Sequence, residues 1–564
     1  MGVAVIESKK SGAGWLVDRL ARRVILLEGL PRILVAVASG AIAALALPPL
    51  DFPAAPFIAF PLLVWLLDGI GTRRTLLGAL FADFAIGWLF GFGYFLAGLW
   101  WLGSAMLVDA AAFAVFIPVA VLGLPAVLAV YFGLATLIAR RFWIDSALRI
   151  LALAASLALL EYFRAFVLTG FPWNELGVLA AQTPLLSQSV SVVGLHGLSL
   201  LALIVFAAPA VIADRHARAP MLVVAALIVA LDLGYGAWRL ANHPTRFVDD
   251  LTVSVVQANI AQSDKFDEAQ AQKIFAKQIA VTEKGRQDRH DKASIPAKTG
   301  GPAIIDATEK KTHRLIIWPE SSIPFILTER PEAVAQLADM IQPDETLIAG
   351  APRIEPMPSG GERLYNSVLV VDDNGEIVDA RDKVHLVPFG EYMPFGPLME
   401  RLGIMNLTEM PGGYSAGTQR EEIKLKGIPA FLPLVCYEAI FPDEIVASMR
   451  GSRPGFLVND TNDGWFGMTP GPHQHLRLAE LSAVAVGLPL IRAANTGISV
   501  VTDAYGREID ALALGATGTI ESRLPVAAPA TPYARLQNIP FFILMSMCFF
   551  AILVVRRFIS RQTS

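Results

Sequence analysis

Three reactive side chains in the second half of this chain have the residue types needed for one chemical task. They are Glu320, Lys383 and Cys436, and each follows a stretch that reads as a strand end. A cysteine attacks a carbonyl group as its thiolate, so it needs a base to take the thiol proton and a cation to lower the thiol pKa. A glutamate and a lysine meet these needs, and the lysine can also stabilise the oxyanion formed in the attack. The three residues therefore predict acyl chemistry at a cysteine.

Each of these side chains also has a simpler interpretation. A buried cysteine is often only a small apolar residue, and a glutamate or lysine at a strand end is usually solvated or ion-paired. The chain has just two cysteines, and Cys548 lies in an apolar segment, so neither a disulfide framework nor a cysteine-based zinc site is predicted. His473 and His475 lie one residue apart on a loop, which is a poor metal-ligand set. The cysteine chemistry itself requires no metal or other cofactor.

The composition is that of a membrane protein. Of the 564 residues 54% are hydrophobic and only 17% are charged, and the mean hydropathy is +0.52. These values are too apolar for a soluble protein of this length. The net charge of -4 provides no basic field for a phosphate backbone, so nucleic acid is not an expected partner. Stability is expected to come from burial and from lipid.

Apolar segments predict a helical membrane bundle of about eight transmembrane helices. They lie at about residues 33–50, 53–70, 76–101, 111–139, 147–167, 185–213, 221–238 and 539–555. Each is close to or above the roughly 18 to 20 residues that a helix needs to cross about 30 Å of hydrocarbon. The sequence thus predicts a membrane domain with seven helices over 1–239, a globular domain over 240–530, and a last helix with a short tail over 531–564.

The distribution of basic residues predicts the orientation of these helices. Lysine and arginine are concentrated before the first span, in alternate short loops and in the C-terminal tail, for example at Arg73, Arg140, Arg215 and Arg556. Such residues mark the cytoplasmic side of a membrane. Both termini are therefore expected in the cytoplasm. Seven spans before residue 240 place the globular domain on the outer side.

Within the globular domain, β-branched runs alternate with helical stretches. Strand-like runs begin near residues 251, 313, 346, 367, 430, 455 and 497. This alternation predicts a layered α/β domain. Loops at strand ends are where sites are usually built, which is where the three reactive side chains stand.

Five sequence elements resemble the carbon–nitrogen hydrolase (nitrilase) superfamily. They are residues 256–260 (VQANI), 318–320 (WPE), 383–391 (KVHLVPFGE), 436–438 (CYE) and 459–466 (NDTNDGWF). Together with the predicted spans, they make the whole chain similar to the apolipoprotein N-acyltransferase family of the bacterial inner membrane. The resemblance implies an αββα sandwich next to the membrane bundle.

The same resemblance implies roles for individual residues. Glu320 matches the base, Lys383 the lysine and Cys436 the nucleophile of a catalytic triad. Further residues match positions that the family uses around the site, namely Glu391, Tyr437 and Glu438. Four aromatic residues are expected to bind substrate or to form a lid over it: Phe266, Tyr392, Trp465 and Phe466.

The resemblance also implies a reaction, its partners and its location. A phospholipid would donate an acyl chain to the cysteine, forming a thioester. The acyl chain would then pass to the N-terminal amine of the diacylglyceryl-cysteine of an apolipoprotein. Both substrates are anchored in membrane lipid, and the catalytic domain would face the periplasm. No nucleic acid, metal or other cofactor is expected.

Two features keep other interpretations open. The usual family pattern has arginine and glutamate where Ser482 and Ala485 stand, which leaves the local polar support uncertain. A membrane-tethered amidase or nitrilase would use the same triad to hydrolyse an amide. A catalytically impaired member, acting as a transporter or a structural membrane protein, would retain the fold without the transfer.

Overall fold

The computed structural model describes residues 13–71, 75–214, 218–266, 268–293, 312–358, 360–394, 401 and 413–562. The chain divides into two compact units. The first comprises Met1–Trp100, Pro118–Trp238 and Asn538–Ser564, and the second comprises Trp101–Ile117 and Arg239–Gln537. Within the described ranges the first unit is helical, and every assigned strand belongs to the second unit.

The α-helices are numbered in chain order. They are α1 (Ala13–Ile25), α2 (Gly29–Ala44), α3 (Pro56–Asp68), α4 (Leu76–Leu99), α5 (Ala110–Phe113), α6 (Leu124–Arg141), α7 (Arg149–Arg164), α8 (Val190–Ala207), α9 (Arg218–Asn242), α10 (Ala271–Ala293), α11 (Pro331–Met340), α12 (Pro442–Ser448), α13 (Gly471–Val486), α14 (Pro532–Leu536) and α15 (Ile539–Gln562). Short 3-10 turns and one π-helical turn connect several of them.

Five helical segments in the described ranges are long and apolar enough to cross a membrane. They are Leu76–Leu107, Ala110–Arg141, Val190–Ala213, Arg218–Asn242 and Ile539–Arg557. The predicted spans at 33–50, 53–70 and 147–167 correspond to shorter helices, because α2, α3 and α7 have 16, 13 and 16 residues. The prediction of several apolar helices is confirmed, with five rather than eight of full spanning length.

Proline and glycine interrupt the helices that the apolar runs predict. α2 ends at Ala44, shortly before Pro48 and Pro49, and α3 begins at Pro56. Proline fits the first turn of a helix but lacks the N–H that the interior requires. Inside α8, Gly194 has φ +69° and ψ 178°, so the helical path is broken there. A purely apolar run therefore overstates the length of the helix it forms.

Two carboxylates within the apolar helices are paired with arginines. Arg140 donates to Asp83 at 3.1 Å, and Arg164 forms an ion pair with Glu161 at 3.0 Å. Arg164 also donates to the carbonyl of Trp173 at 2.9 Å. Pairing offsets the cost of placing a charge in an apolar environment. These carboxylates stabilise helix packing.

The second unit contains eleven strands within its described residues. They are β1 (Phe247–Gln257), β2 (His313–Ile317), β3 (Glu345–Pro356), β4 (Glu362–Val371), β5 (Ile377–Asp382), β6 (Phe431–Val435), β7 (Phe456–Thr461), β8 (Leu490–Ala494), β9 (Ser499–Thr502), β10 (Glu508–Leu512) and β11 (Gly518–Pro525). One sheet has the order β11-β1-β2-β3-β4-β5, and the other has the order β10-β9-β8-β7-β6. β1, β2 and β3 are parallel neighbours, as are β6, β7 and β8.

The two sheets pack face to face around one apolar core. Val253 and Ile317 of the first sheet share this core with Val458 and Ile491 of the second. On the outer face of the first sheet, α10 and α11 pack against β2 and β3. On the outer face of the second sheet, α13 contacts β8. This is the layered α/β sandwich that the sequence predicts.

The parallel strands bring distant segments of the chain to one edge of the sandwich. Parallel pairing places the carboxyl end of β2 beside β3 and aligns the carboxyl ends of β6 and β7. The two sheets meet at Gly350 of β3, where a Cβ atom would lie close to both Glu320, after β2, and Asp460 in β7. Glu320 follows β2, and Cys436 follows β6. The topology therefore places the base and the thiol predicted from the sequence near one another.

Close packing at this edge predicts a steric requirement at Gly350. A Cβ atom there would lie 2.6 Å from the Cα of Glu320 and 2.8 Å from Oδ2 of Asp460. Gly350→Ala must therefore displace backbone, and we expect it to lower the free energy of unfolding by about 1 to 3 kcal/mol. The measurement is chemical denaturation of the full-length protein in detergent. Gly451→Ala is the matched control, because a Cβ at Gly451 meets no atom within 4 Å; equal stability of the two variants would contradict the requirement.

Candidate active site

The centre of the site is a buried ammonium group between two carboxylates. Lys383 is 1% exposed, and its Nζ donates to Glu391 at 2.9 Å and lies 3.5 Å from Oε1 of Glu320. Asn366 in β4 completes the arrangement, because its Nδ2 donates to Glu320 at 2.7 Å and to Glu391 at 2.9 Å. A single amide group thus holds both carboxylates around the lysine.

Electrostatics keep this lysine charged. Burial alone would lower the pKa of Lys383, but the carboxylates of Glu391 and Glu320 raise it well above its ordinary value. Its backbone is fixed as well, because its N–H donates to the carbonyl of Asn366 at 2.8 Å. The site therefore contains a fixed positive charge beside the cysteine.

Cys436 lies directly after β6 in an unusual backbone conformation. Its φ is +51°, in the left-handed region that costs a non-glycine residue energy. Its carbonyl oxygen is 3.2 Å from Nε2 of His475 and accepts a long contact from Nδ2 of Asn459 at 3.4 Å. These contacts stabilise the strained turn. The turn separates the cysteine from the regular strand and leaves it half-buried.

The thiol is protonated at rest. Burial and the Glu320 carboxylate raise the pKa of Cys436, while Lys383 opposes this shift and Thr461 hydrogen-bonds to the sulfur. A thiol of this kind becomes nucleophilic only when a nearby base takes its proton. Glu320 and Lys383 both shift the pKa of the Cys436 thiol. The three predicted side chains therefore lie in one cluster.

Glu438 and Tyr437 contribute to the framework around the cysteine. The buried carboxylate of Glu438 accepts backbone N–H groups from Val384 at 2.9 Å, His385 at 3.0 Å and Val435 at 2.8 Å. It therefore connects the strand before the cysteine to the loop after the lysine. Tyr437 is 5% exposed and packs edge-on against His385, with their ring centroids 5.5 Å apart.

A buried polar network behind the cysteine was not predicted from the sequence. Arg492 in β8 donates to Asp463 at 2.7 Å, and Asp463 lies 2.8 Å from Nδ1 of His475. Burial would raise the pKa of Asp463, but Arg492 and His475 hold it at about 2, so the carboxylate stays ionised. The signal was an arginine inside the apolar run of β8, where a charge must be paired.

This network also bears on the two departures from the family pattern. Ser482 and Ala485 are 3% and 1% exposed in α13. Arg492 supplies a buried guanidinium on the face of the second sheet that α13 covers. The carbonyl of Ala485 accepts from the hydroxyl of Thr531 at 2.6 Å. His475 joins the network instead of a metal site. In the described ranges, groups of three or more residues suited to a metal do not occur.

Asp460 is a second group that sequence reasoning missed. It is 0% exposed and follows Val458 on the inward face of β7. Apart from its own backbone amide, neither carboxyl oxygen has a hydrogen-bond partner within the described ranges. Burial and the facing Glu320 carboxylate raise the pKa of Asp460 well above its ordinary value, with Lys383 offsetting part of the shift. Asp460 is therefore a neutral acid beside the base.

The predicted lid residues lie in three different places. Tyr392 is half-buried, and its carbonyl accepts from the N–H of Phe389 at 2.8 Å. Trp465 and Phe466 are half-buried in a 3-10 turn after β7, and the ring of Phe466 lies 4.8 Å from that of Trp101. The side chain of Phe266 lies outside the described residues. A substrate contact for these four residues stays a prediction.

Comparison with known proteins agrees with this fold. Residues 252–528 match the family model described as carbon–nitrogen hydrolase, so the second unit is a domain of that class. Residues 39–208 match the model of the apolipoprotein N-acyltransferase N-terminal domain. The chain belongs to the apolipoprotein N-acyltransferase family, whose members are enzymes.

Curated relatives support this assignment along most of the chain. The apolipoprotein N-acyltransferase of Brucella melitensis is 46% identical over 92% of this chain and 94% of its own length. The protein of the same name from Rhizobium etli is 47% identical over 90% of this chain and 92% of its own. Both matches cover the membrane helices as well as the sandwich.

The neutral state of Asp460 predicts a pH-dependent stability. Its folded pKa is raised, so the folded state keeps a proton that the unfolded state releases above about pH 4. Stability from this proton is present at acid pH and is lost as pH rises toward the folded pKa. Asp460→Asn carries no such proton. Relative to wild type, it should gain up to about 1.4 kcal/mol in free energy of unfolding per pH unit in that window.

Denaturation of the full-length protein at several pH values from 5 to 8 checks this expectation. Asp249→Asn is the control, because that side chain is 93% exposed. Parallel pH profiles for wild type and Asp460→Asn would show that Asp460 is ionised in the folded protein.

Proposed function

We propose that this protein is an apolipoprotein N-acyltransferase that works through a thioester on Cys436. It moves an acyl chain from a phospholipid to the N-terminal amine of diacylglyceryl-cysteine on a lipoprotein. The observation that carries the proposal is the buried Lys383 ammonium, which lies 3.5 Å from Glu320 and opposes the rise in the pKa of the Cys436 thiol. Family membership supports the choice of substrates.

In the first half-reaction, Glu320 takes the thiol proton while the sulfur attacks the ester carbonyl of the phospholipid. Negative charge develops on the carbonyl oxygen, and the Lys383 ammonium stabilises it. The carbon–oxygen bond then breaks, and Glu320 returns its proton to the departing glycerol oxygen. A lysophospholipid leaves, and the acyl chain stays on Cys436 as a thioester.

In the second half-reaction, the neutral α-amine of the lipoprotein attacks the thioester. Glu320 accepts a proton from the amine, the carbon–sulfur bond breaks, and the sulfur recovers a proton from Glu320. The products are an amide and the free thiol. Because the thioester must outlast the exchange of substrates, water must be kept from it. We assign that task to Phe266, Tyr392, Trp465 and Phe466.

The supporting residues hold the reacting side chains in position. Glu391 shares Asn366 and Lys383 with Glu320, so it fixes the ammonium in place. Glu438 and Tyr437 hold the loops on either side of the cysteine. These roles are part of the proposal and rest on the contacts described above.

For the membrane arrangement we propose eight helices in the bacterial inner membrane, with both termini in the cytoplasm and the catalytic domain in the periplasm. The proposed domains are residues 1–239, 240–530 and 531–564. Five helices of spanning length support the arrangement, as does the alternation of basic loops. α2, α3 and α7 would supply the remaining three crossings, since local thinning of the bilayer or tilted neighbours accommodate short helices.

Replacement of the nucleophile tests the proposed function. Purified full-length protein is incubated with phosphatidylethanolamine and a diacylated lipopeptide, and mass spectrometry follows both the acyl adduct on Cys436 and the N-acylated peptide. Cys436→Ser should reduce peptide acylation by on the order of 10³-fold, because a hydroxyl in this site is a far weaker nucleophile. Thermal unfolding should change little.

Cys548→Ser is the matched control, because that thiol lies in α15. An acyl adduct on Cys436 without peptide acylation would identify a hydrolase that passes the acyl group to water. Absence of both products in wild type would identify a catalytically impaired protein.

A further inference from the structure

A second lysine, which is half-buried, lies at the edge of the site. Lys265 stands in the 3-10 turn Gln262–Phe266, which follows β1. Its Nζ donates to the backbone carbonyl of Glu320 at 3.2 Å. Lys265 therefore reaches the same residue as Lys383, but through the main chain.

The turn that carries Lys265 is fixed to the catalytic edge of the sandwich. Oε1 of Gln262 accepts from Nδ2 of Asn462 at 2.6 Å. Asn495 exchanges two hydrogen bonds with the backbone of Ile260, at 2.9 and 2.7 Å. The lysine is thus supported by loops that follow β7 and β8. The fold therefore fixes the position of Lys265.

The ammonium group of Lys265 has no carboxylate partner among the described residues. The carbonyl of Glu320 is its one hydrogen-bond acceptor in those ranges, and no described carboxylate lies within 4.0 Å. Lys383, by contrast, has two carboxylates. Burial lowers the pKa of Lys265 to about 8, and Glu320 opposes only part of this shift. A partly desolvated cation with only a neutral acceptor is stabilised when an anion completes its environment.

We propose that Lys265 binds the phosphate group of the acyl donor and makes the enzyme selective for phospholipids. This inference rests on the proposed function. In a glycerophospholipid the phosphate and the reacting ester are attached to the same glycerol. When the ester carbonyl lies at the sulfur of Cys436, the phosphate is only a few bonds away. A charge-assisted hydrogen bond to the phosphate would then position the donor.

The two half-reactions should depend on Lys265 differently. The donor carries a phosphodiester, whereas the diacylglyceryl-cysteine acceptor does not. Lys265 should therefore strengthen the binding of the donor and contribute little to the transfer from the thioester to the amine. A residue that only positioned Glu320 would affect both half-reactions, because Glu320 moves a proton in each.

The test compares two acyl donors with full-length protein in detergent micelles. Phosphatidylethanolamine contains the phosphate, and diacylglycerol carries the same esters without it. The rate of Cys436 acylation by each donor is measured by intact mass spectrometry. Lys265→Met should lower the ratio of the two rates by about tenfold or more, since a hydrogen bond to a charged group contributes on the order of 1.5 kcal/mol. Lys265→Arg keeps the positive charge and should largely preserve the ratio.

Lys277→Met is the matched control. Lys277 also donates to a backbone carbonyl, that of Asn259 at 3.0 Å, but it is exposed. The second half-reaction, measured from preformed thioester, checks that each variant is folded. An equal loss with both donors, or an unchanged ratio, would overturn the inference and leave the proposed function intact. If wild-type Cys436 accepts no acyl group from either donor, the proposed function fails and the inference fails with it.

Discussion

The arrangement of this site depends on keeping one ammonium ion buried. Lys383 is almost inaccessible to solvent, and a buried charge is costly unless it is paired and hydrogen-bonded. Two carboxylates meet that need, and Asn366 holds both of them in place by donating to each. The cluster therefore requires three separate segments of the first sheet and its loops. The cation beside the thiol exists only when the sandwich is complete.

The second sheet supplies the thiol, and it does so at an energetic cost. Cys436 adopts a left-handed conformation immediately after β6, where a regular strand would have continued. His475 and Asp463, together with Arg492, form a buried network behind this turn. Strain of this kind persists only where the surroundings determine the conformation. The network explains why replacements elsewhere in α13 need not remove the polar support of the turn.

Some of this arrangement could be predicted from the sequence, and some could not. Glu320, Lys383 and Cys436 stand at strand ends within distinctive motifs, so local patterns located them. Asn366 and Asp460 lie inside β4 and β7, and only the pairing of distant strands brings them to the site. The apolar runs at α2 and α3 are longer than the helices they form, because hydropathy counts apolar residues without registering where proline interrupts a helix.

The charges of the site explain why its two lysines have different roles. Glu320 and Glu391 face the ammonium of Lys383, and the surroundings of Asp460 raise its pKa and so favour its neutral form. Ionisation of Asp460 would add an unpaired negative charge next to the base and would oppose the oxyanion that forms during attack. A neutral Asp460 therefore leaves Lys383 free to stabilise that oxyanion. It also leaves Lys265 as the cation available to an anionic donor.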